Sequence, residues 1–591
     1  MTGSRSSAAV AGAGGPARSG SPPSLLKRSA RRLFANGGLI GIITTAIVAL
    51  LVIPPLVYLL ISSFHATTRD GSLGALTLKN YIGVFAGKEL LTAGMHSFVF
   101  ASASAVLALM IGGFQAWVVE RTDAPCKVLV LISTIVSLSM PYVLYTVAML
   151  YALGRVGPVN DLLKWVLSSS TPVLNVNSMW GMIVIEAVLS TPLSFLLLSP
   201  IFRASNISFE EAAMTSGAST AQTLRMITFK LATPGVLAVL LLIFIRAVEA
   251  FEVPSLVGMP SKINVLTTDI FLNLKLQVPP DLGKASAFSV FLVILVSLML
   301  MLYHRLLRHS EQFQTVTGKA YQPRILKLGR ARWFVGGGLI VTFSLCTLLP
   351  LGVLVWASLL PYYQSFSMRA LSRLTFKNYE GLLGLGRDVN VIMNTIVLSA
   401  STATIAVLLA AVAGWLIARG RRWSRFLDQI AMIPLVLPGL VLGVAMMEIF
   451  LKVPLPIYGT MWILLIAFVI HCIPFGFRYS TAGVMQIHRE LEEAAGTSGA
   501  SLPSTLARIV APLIKPALLS AWLFLFLTTA RGVSIPVLLS GPGSQVVSAR
   551  LYEEFVNGQA PHVAALGLVW TSFMACIAIA FRRLGGRIGP Q

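Results

Sequence analysis

Glu210-Glu-Ala-Ala-Met-Thr-Ser-Gly217-Ala-Ser219 and Glu492-Glu-Ala-Ala-Gly-Thr-Ser-Gly499-Ala-Ser501 are one stretch written twice, 282 residues apart, with nine of ten positions identical. Each is a polar segment between long apolar runs. A mere surface connector is free to drift, so its retention in two places marks a segment under its own constraint. Ile227 matches Ile509 and Pro234 matches Pro516 at the same offset. Ser208-x-x-Glu211 reads as a capping box that opens a short helix. Gly217 and Gly499 stand where a helix ends on a left-handed residue. Ser219-x-x-Gln222 can cap a second helix, and Ser501 can do so in the second copy, with Pro503 tolerated in the first turn. The expectation is a rigid helix–turn–helix knob in each copy, its glutamates free to pair with basic residues of a partner.

The duplication extends outward from the knobs. Thr77-Leu-Lys-Asn-Tyr81 returns as Thr375-Phe-Lys-Asn-Tyr379, and the same spacing of 298 pairs Trp117 with Trp415 and Arg121 with Arg419. Pro141 pairs with Pro438, and Val147-Ala-Met149 with Val444-Ala-Met446, at 297. The drop to 282 places about 15 extra residues in the first half near 155–178. Twelve apolar segments are predicted as membrane helices, near 38–63, 98–119, 128–153, 179–201, 235–257, 286–304, 334–360, 392–418, 428–451, 460–480, 517–540 and 562–581. Each half holds six. Six is even, so the halves enter the membrane in the same sense, as a parallel repeat about an axis along the membrane normal.

Composition agrees. Hydrophobic residues make up 56% of the 591 and charged residues 11%, and mean hydropathy is +0.81. A soluble domain carries about 25% charged residues, so a soluble enzyme is excluded. The net charge of +23 does not imply nucleic acid, because the basic residues gather at span ends rather than along one stripe. Residues 1–36 carry Arg5, Arg18, Lys27, Arg28, Arg31 and Arg32 and no acid, and read as a disordered cytoplasmic tail before an uncleaved first span. Arg305, Arg308, Lys319, Arg324, Lys327, Arg330 and Arg332 fill a basic linker at 305–332; Arg419, Arg421, Arg422 and Arg425 follow the eighth span; Arg582, Arg583 and Arg587 end the chain. The positive-inside rule then puts both termini and the linker in the cytoplasm. Cys126, Cys346, Cys472 and Cys576 lack metal or disulfide spacing and read as small apolar residues.

Ionisable groups inside spans need a reason, since each costs at least about 2.5–3.5 kcal/mol to insert. Glu186 stands in the fourth predicted span, and Arg246, Glu249 and Glu252 follow at intervals of three in the fifth. Arg246 and Glu249 can pair along one helix face. The 282 offset sets Glu249 against Arg531, so a two-fold axis can bring these two across a pathway. The bland alternative is an ion pair that packs helices or sits near the interface. His471 reads as a hydrogen-bonded packing residue, and no cluster has metal-ligand spacing.

With these residues in view, the chain resembles the fused two-half permeases of type I ABC importers, whose EAA loop runs Glu-Ala-Ala-x3-Gly-x9-Ile-x2-Pro. The second half matches at Glu493, Ala494, Ala495, Gly499, Ile509 and Pro512. The first matches at Glu211, Ala212, Ala213, Gly217 and Ile227, with Lys230 in place of proline, a departure that bears on its second short helix. The resemblance implies an all-α integral membrane fold of twelve helices. The first half would cover 37–304 with its loop at 205–235, and the second 333–591 with its loop at 488–516. It implies that Glu210, Glu211, Ala212, Ala213 and Gly217, with Glu492, Glu493, Ala494, Ala495 and Gly499, couple the chain to two copies of a separate cytoplasmic ATPase. That ATPase would hold the ATP and Mg, and this chain would be a transport subunit with no cofactor or enzymatic site of its own. The sequence has no G-x-x-x-x-G-K-[ST]. A periplasmic or lipid-anchored solute-binding protein would deliver the solute, and the setting would be the bacterial inner membrane.

Two further segments resemble ferric-iron-type permeases. One is Glu249-x-x-Glu252-Val-Pro254-Ser-Leu-Val-Gly258 followed by Thr267-Thr-Asp-Ile270. The other is Leu538-Leu-Ser-Gly541-Pro-Gly543 followed by Val547-Ser548 and Leu551-Tyr552. Iron(III) is the leading cargo on that likeness. Thiamine, 2-aminoethylphosphonate, sugar-phosphate and polyamine permeases share the architecture. An ion-coupled secondary transporter is the competing class, but it gives no reason for twin knobs. A membrane enzyme would need a catalytic constellation that is absent from the sequence.

Overall fold

Apolar runs without water partners must satisfy their backbone internally, and here they do so as helices. The computed structural model describes residues 38–68, 73–203, 213, 215–311, 325–384, 386–420, 423–453 and 455–583. The expected tail at 1–36, Glu210, Glu211 and Ala212 lie outside the described residues. The first half runs α1 (Gly38–Ser63), a small hairpin β1 (His65–Thr67) and β2 (Leu73–Leu76), α2 (Lys88–Arg121), α3 (Val128–Ser139), α4 (Tyr142–Leu153), α5 (Met179–Arg203), α6 (Phe229–Glu249) and α7 (Leu282–Glu311). The second runs α8 (Ala331–Ser358), α9 (Gly386–Ala418), α10 (Ser424–Val436), α11 (Gly439–Lys452), α12 (Met461–Met485), α13 (Glu490–Thr497), α14 (Ala511–Arg531) and α15 (Ala560–Arg583). Eleven of the described helices are long and apolar enough to cross a membrane, and the bent pair α10–α11, at 102°, is a twelfth crossing if taken as one.

Several expected spans are not straight. The span expected over 128–153 breaks between α3 and α4, and that over 428–451 breaks between α10 and α11. The cause is the same in both. Met140 (φ −89°, ψ 130°) and Leu437 (φ −102°, ψ 96°) precede prolines and are driven out of the helical region. Pro141 and Pro438 then open new helices. Hydropathy cannot report this, because the apolar run continues through the break. The spans expected to reach 257 and 540 end instead at Glu249 and Arg531. At the linker, α7 continues through Glu311 and α8 begins at Ala331. Leu326 is also tied to the end of α2, donating to Arg121 O at 2.8 Å and accepting from Asp123 N at 3.1 Å.

The repeated Thr-x-Lys-Asn-Tyr segment closes the end of each half's first span. The Asn80 amide donates to Ser63 O (3.0 Å) and His65 O (2.8 Å), and Tyr81 bonds the Ser63 hydroxyl at 2.7 Å. Asn378 donates to Ser358 O (2.8 Å) and Leu360 O (2.9 Å), and Tyr379 bonds the Ser358 hydroxyl at 2.7 Å. A helix ends with carbonyls that lack partners, and this motif supplies them.

Within a half, α2 packs along α5 and α9 along α12. Small residues permit the approach: a Cβ on Gly112 would lie 2.6 Å from Ser194 Cβ, and one on Gly414 would lie 2.6 Å from Ser480 Cβ. The first span of each half crosses to the other. α1 packs on α10 and α11, and α8 packs on α3 and α4. Polar contacts join the halves there. Tyr145 donates its hydroxyl to Cys346 O at 2.5 Å, at a π turn (Ser344–Leu348) inside α8. Ser286 donates to the fully buried Glu448 at 2.6 Å, and Lys452 holds the other carboxylate oxygen at 2.9 Å.

Asn378→Ala leaves two span-end carbonyls without their donor. The expected cost is about 1–3 kcal/mol, read as a lowered thermal unfolding midpoint of the detergent-solubilised chain, with Asn80→Ala producing a similar loss in the first half.

Candidate functional site: twin knobs and a charged centre between the halves

The second knob is α13 followed by a left-handed glycine. Gly499 has φ +81°, Ala500 N bonds Ala495 O at 3.0 Å, and Gly499 N bonds Gly496 O at 3.1 Å. This is a Schellman closure. The described part of the first knob repeats it: Gly217 has φ +87°, and Ala218 N bonds Ala213 O at 2.9 Å. The expected Ser219–Gln222 box is present, with Gln222 N donating to Ser219 Oγ at 3.3 Å and Ser219 N to Gln222 Oε1 at 3.0 Å. Ser501, by contrast, makes no side-chain cap.

The second helix of each knob is not a separate element. It runs through a π turn, Leu224–Thr228 or Leu506–Val510, directly into α6 or α14. Both halves make this wide turn, so the change from Pro512 to Lys230 does not unmake it. Each knob is thus the turned head of a membrane helix.

The two glutamates that open the second knob differ. Glu493 is exposed and, among the described residues, has no side-chain partner. Glu492 faces inward. It accepts from Trp415 Nε1 at 3.0 Å and Arg419 Nε at 2.7 Å, and Arg419 also donates to Ile487 O at 3.1 Å. The expectation of two free glutamates is corrected for Glu492, since its charge is consumed inside the chain. The burial of Ala494 and Ala495 differs in the same way, with Ala494 exposed and Ala495 buried.

A second group of charged residues gathers where the halves meet. Arg246 and Glu249 pair at 3.7 Å as expected. Glu252 lies past the end of α6, and its carboxylate meets Ser534 Oγ at 3.5 Å. Glu252 and Ser534 are equivalents under the 282 offset, so the pseudo-two-fold axis passes between them. Glu186 is buried, accepts from Ser190 at 3.3 Å and lies within electrostatic reach of Glu252. The pairing of Glu249 with Arg531 does not form. Arg531 instead donates to Met140 O at 3.1 Å and lies 4.3 Å over the Tyr142 ring. Tyr142 also lies beside Arg246, so one phenol stands between an arginine from each half. His471 lies within reach of the Arg246 charge, which brings it into this group. Tyr142, Met140 and Ser534 went unnoticed in the sequence; the repeat offset applied three residues beyond Glu249 would have found Ser534.

Residues 108–315 and 387–590 match the family described as binding-protein-dependent transport system inner membrane component. The chain is 26% identical over 413 residues to a ferric transport system permease protein, FbpB, of Actinobacillus pleuropneumoniae, covering 68% of this chain and 58% of that one. It is 27% identical over 396 residues to a putative ferric transport system permease protein, FbpB 1, of Haemophilus influenzae, covering 66% of this chain and 60% of that one. The chain therefore spans about three fifths of the length of these two relatives. A probable ABC transporter permease protein, y4fN, of Sinorhizobium fredii is 25% identical over 577 residues, covering 95% of this chain and 98% of that one.

Two outcomes follow from the geometry. Gly499→Val forces a β-branched residue into positive φ at roughly 1–2 kcal/mol, whereas Gly499→Asn keeps the turn; circular dichroism and limited proteolysis of the knob should separate them. Exchanging charges, Glu249→Arg with Arg531→Glu, should not repair the defect of either single change, measured as thermal stability, because the two side chains do not meet.

Proposed function

The chain belongs to the binding-protein-dependent transport system inner membrane component family, and from that premise we propose that it is the two-lobed membrane subunit of an ATP-driven importer whose cargo is ferric iron. The observation that carries the importer reading is the pair of glycine-capped knobs, each continuous with a membrane helix that ends at the charged centre. A separate ATPase docks one copy on each knob at the cytoplasmic face. Closure of the ATPase pair moves the knobs, and each knob moves its own long helix, α6 or α14. The far ends of those helices carry Arg246, Glu249 and Arg531. Rocking of the halves about the axis at Glu252 and Ser534 then opens the centre to one side and closes it to the other.

The chemistry of the centre suits a cation in transit. Glu186, Glu249 and Glu252 offer carboxylate oxygens, the donors that hard cations favour. Arg246 and Arg531 offset part of that charge, which keeps the site from holding a cation too tightly to release. The likeness to ferric transport permeases supports iron as the cargo. Delivery falls to a solute-binding protein outside the inner membrane, with both termini of this chain in the cytoplasm.

Reconstituting the chain with its ATPase and binding protein in vesicles and measuring labelled ferric iron uptake tests this. ATP-dependent uptake is expected, and Glu249→Gln with Glu252→Gln should slow it about tenfold, the effect of roughly 1.4 kcal/mol of lost stabilisation. Uptake of another solute in place of iron would overturn the cargo alone. Uptake that needs no nucleotide would overturn the importer.

A further inference from the structure

Adjacent residues on a helix point about 100° apart, so Glu492 and Glu493 point to different sides of the knob. The structure gives them different surroundings. Glu493 is exposed at the head of the knob. The Glu492 side chain is 12% exposed and the Arg419 side chain 8%, and they meet at 2.6 Å. Trp415 Nε1 donates to the second Glu492 oxygen at 3.0 Å. Arg419 directly follows α9, and it also takes Ile487 O just beyond the end of α12, at 3.1 Å. One guanidinium therefore binds the ends of two membrane helices to the knob, in hydrogen bonds of the charge-assisted, directional kind. Covalently, the knob joins α12 through residues 486–489 and α14 through the π turn Leu506–Val510. The Arg419 and Trp415 contacts attach the knob to α9, to which it has no such link.

The first half carries the same residues. Trp117 and Arg121 are spaced by four in α2, as Trp415 and Arg419 are at the end of α9, and Arg121 is fully buried. Glu210 is the counterpart of Glu492. A spacing of four sets both side chains on one helix face, so the Trp–Arg pair of the second half is repeated in the first.

We infer that Arg419 and Trp415, by clamping Glu492, are positioning residues that transmit knob movement to α9, while Glu493 faces the ATPase. This rests on the importer reading and divides its coupling segment into two jobs. Recruitment belongs to the exposed glutamate and transmission to the buried one.

The test uses the full chain in nanodiscs with the importer's ATPase. Exposed Cys126 and Cys576 are replaced by serine. Nitroxides are placed through Ser170→Cys and Ser372→Cys, exposed positions of the two halves on the face opposite the knobs. Two quantities are read: the amount of ATPase that co-purifies, and the change in inter-label distances on trapping with ATP and vanadate. Glu492→Gln and Arg419→Ala should retain the ATPase while the switched population falls at least about fivefold. The double variant should be no worse than either single, as expected for two ends of one contact. Trp415→Phe removes the N–H along with part of the buried indole, so it should give a loss in the same direction, and Glu492→Gln, which keeps the side chain's shape, decides the matter if Arg419→Ala fails to insert. Glu493→Ala should do the opposite and lose the ATPase. Unchanged switching in the clamp variants with ATPase bound would overturn the clamp alone, as would loss of ATPase from them as severe as from Glu493→Ala. If the unaltered chain recruits no ATPase, the importer reading falls and takes the clamp with it.

Discussion

At the break before Pro141, the carbonyl of Met140 takes the Arg531 guanidinium at 3.1 Å, and the arrangement between the halves is organised around that contact. A backbone group inside hydrocarbon has no water to turn to, and leaving it unpaired costs several kcal/mol. A break in a membrane helix therefore creates a demand that some other element must meet. Here the donor comes from the opposite half. Inserting an arginine is itself expensive, and the Tyr142 ring 4.3 Å beneath it provides a second stabilising contact. The end of α14 is thereby fixed against the start of α4. The same logic appears at the π turn in α8, where the Tyr145 hydroxyl of the first half reaches the Cys346 carbonyl.

These contacts explain why the halves interlock rather than lie side by side. The first span of each half packs on the broken span of the other, and the broken spans carry the groups that need partners. Glu252 and Ser534 meet on the axis itself. A position three residues earlier does not, and there the two halves have diverged to Glu249 and Arg531. The glutamate turns back to Arg246 in its own helix, while the arginine reaches across.

Much of this was legible in the sequence. The duplication, the count of spans, the left-handed glycines and the Ser219 cap all depend on residue type and local spacing, which sequence displays directly. Pro141 and Pro438 were visible as a matched pair, yet their breaks were not, because apolar composition continues on both sides. Glu492 looked like Glu493 in a string of letters. Only the three-dimensional return of α9 to the knob separates the inward carboxylate from the outward one, though the repeated Trp and Arg four apart were already a trace of it. The charges at 249 and 531 suggested a pair because the repeat sets them opposite, but opposition across an axis fixes direction and not distance. The contact fell at the next turn.

The divergence at 249 and 531 also bears on why the two lobes share one polypeptide. Two separate copies of the first lobe would bring two carboxylates and no arginine at this position to the breaks, and a carboxylate cannot donate to a carbonyl. Two copies of the second would crowd two cations into one small space. Separate chains could assort into either mismatched set. Linked in tandem, they cannot: every molecule is born with one acid and one base at that station, so the lobes could specialise without any device for choosing the right mate.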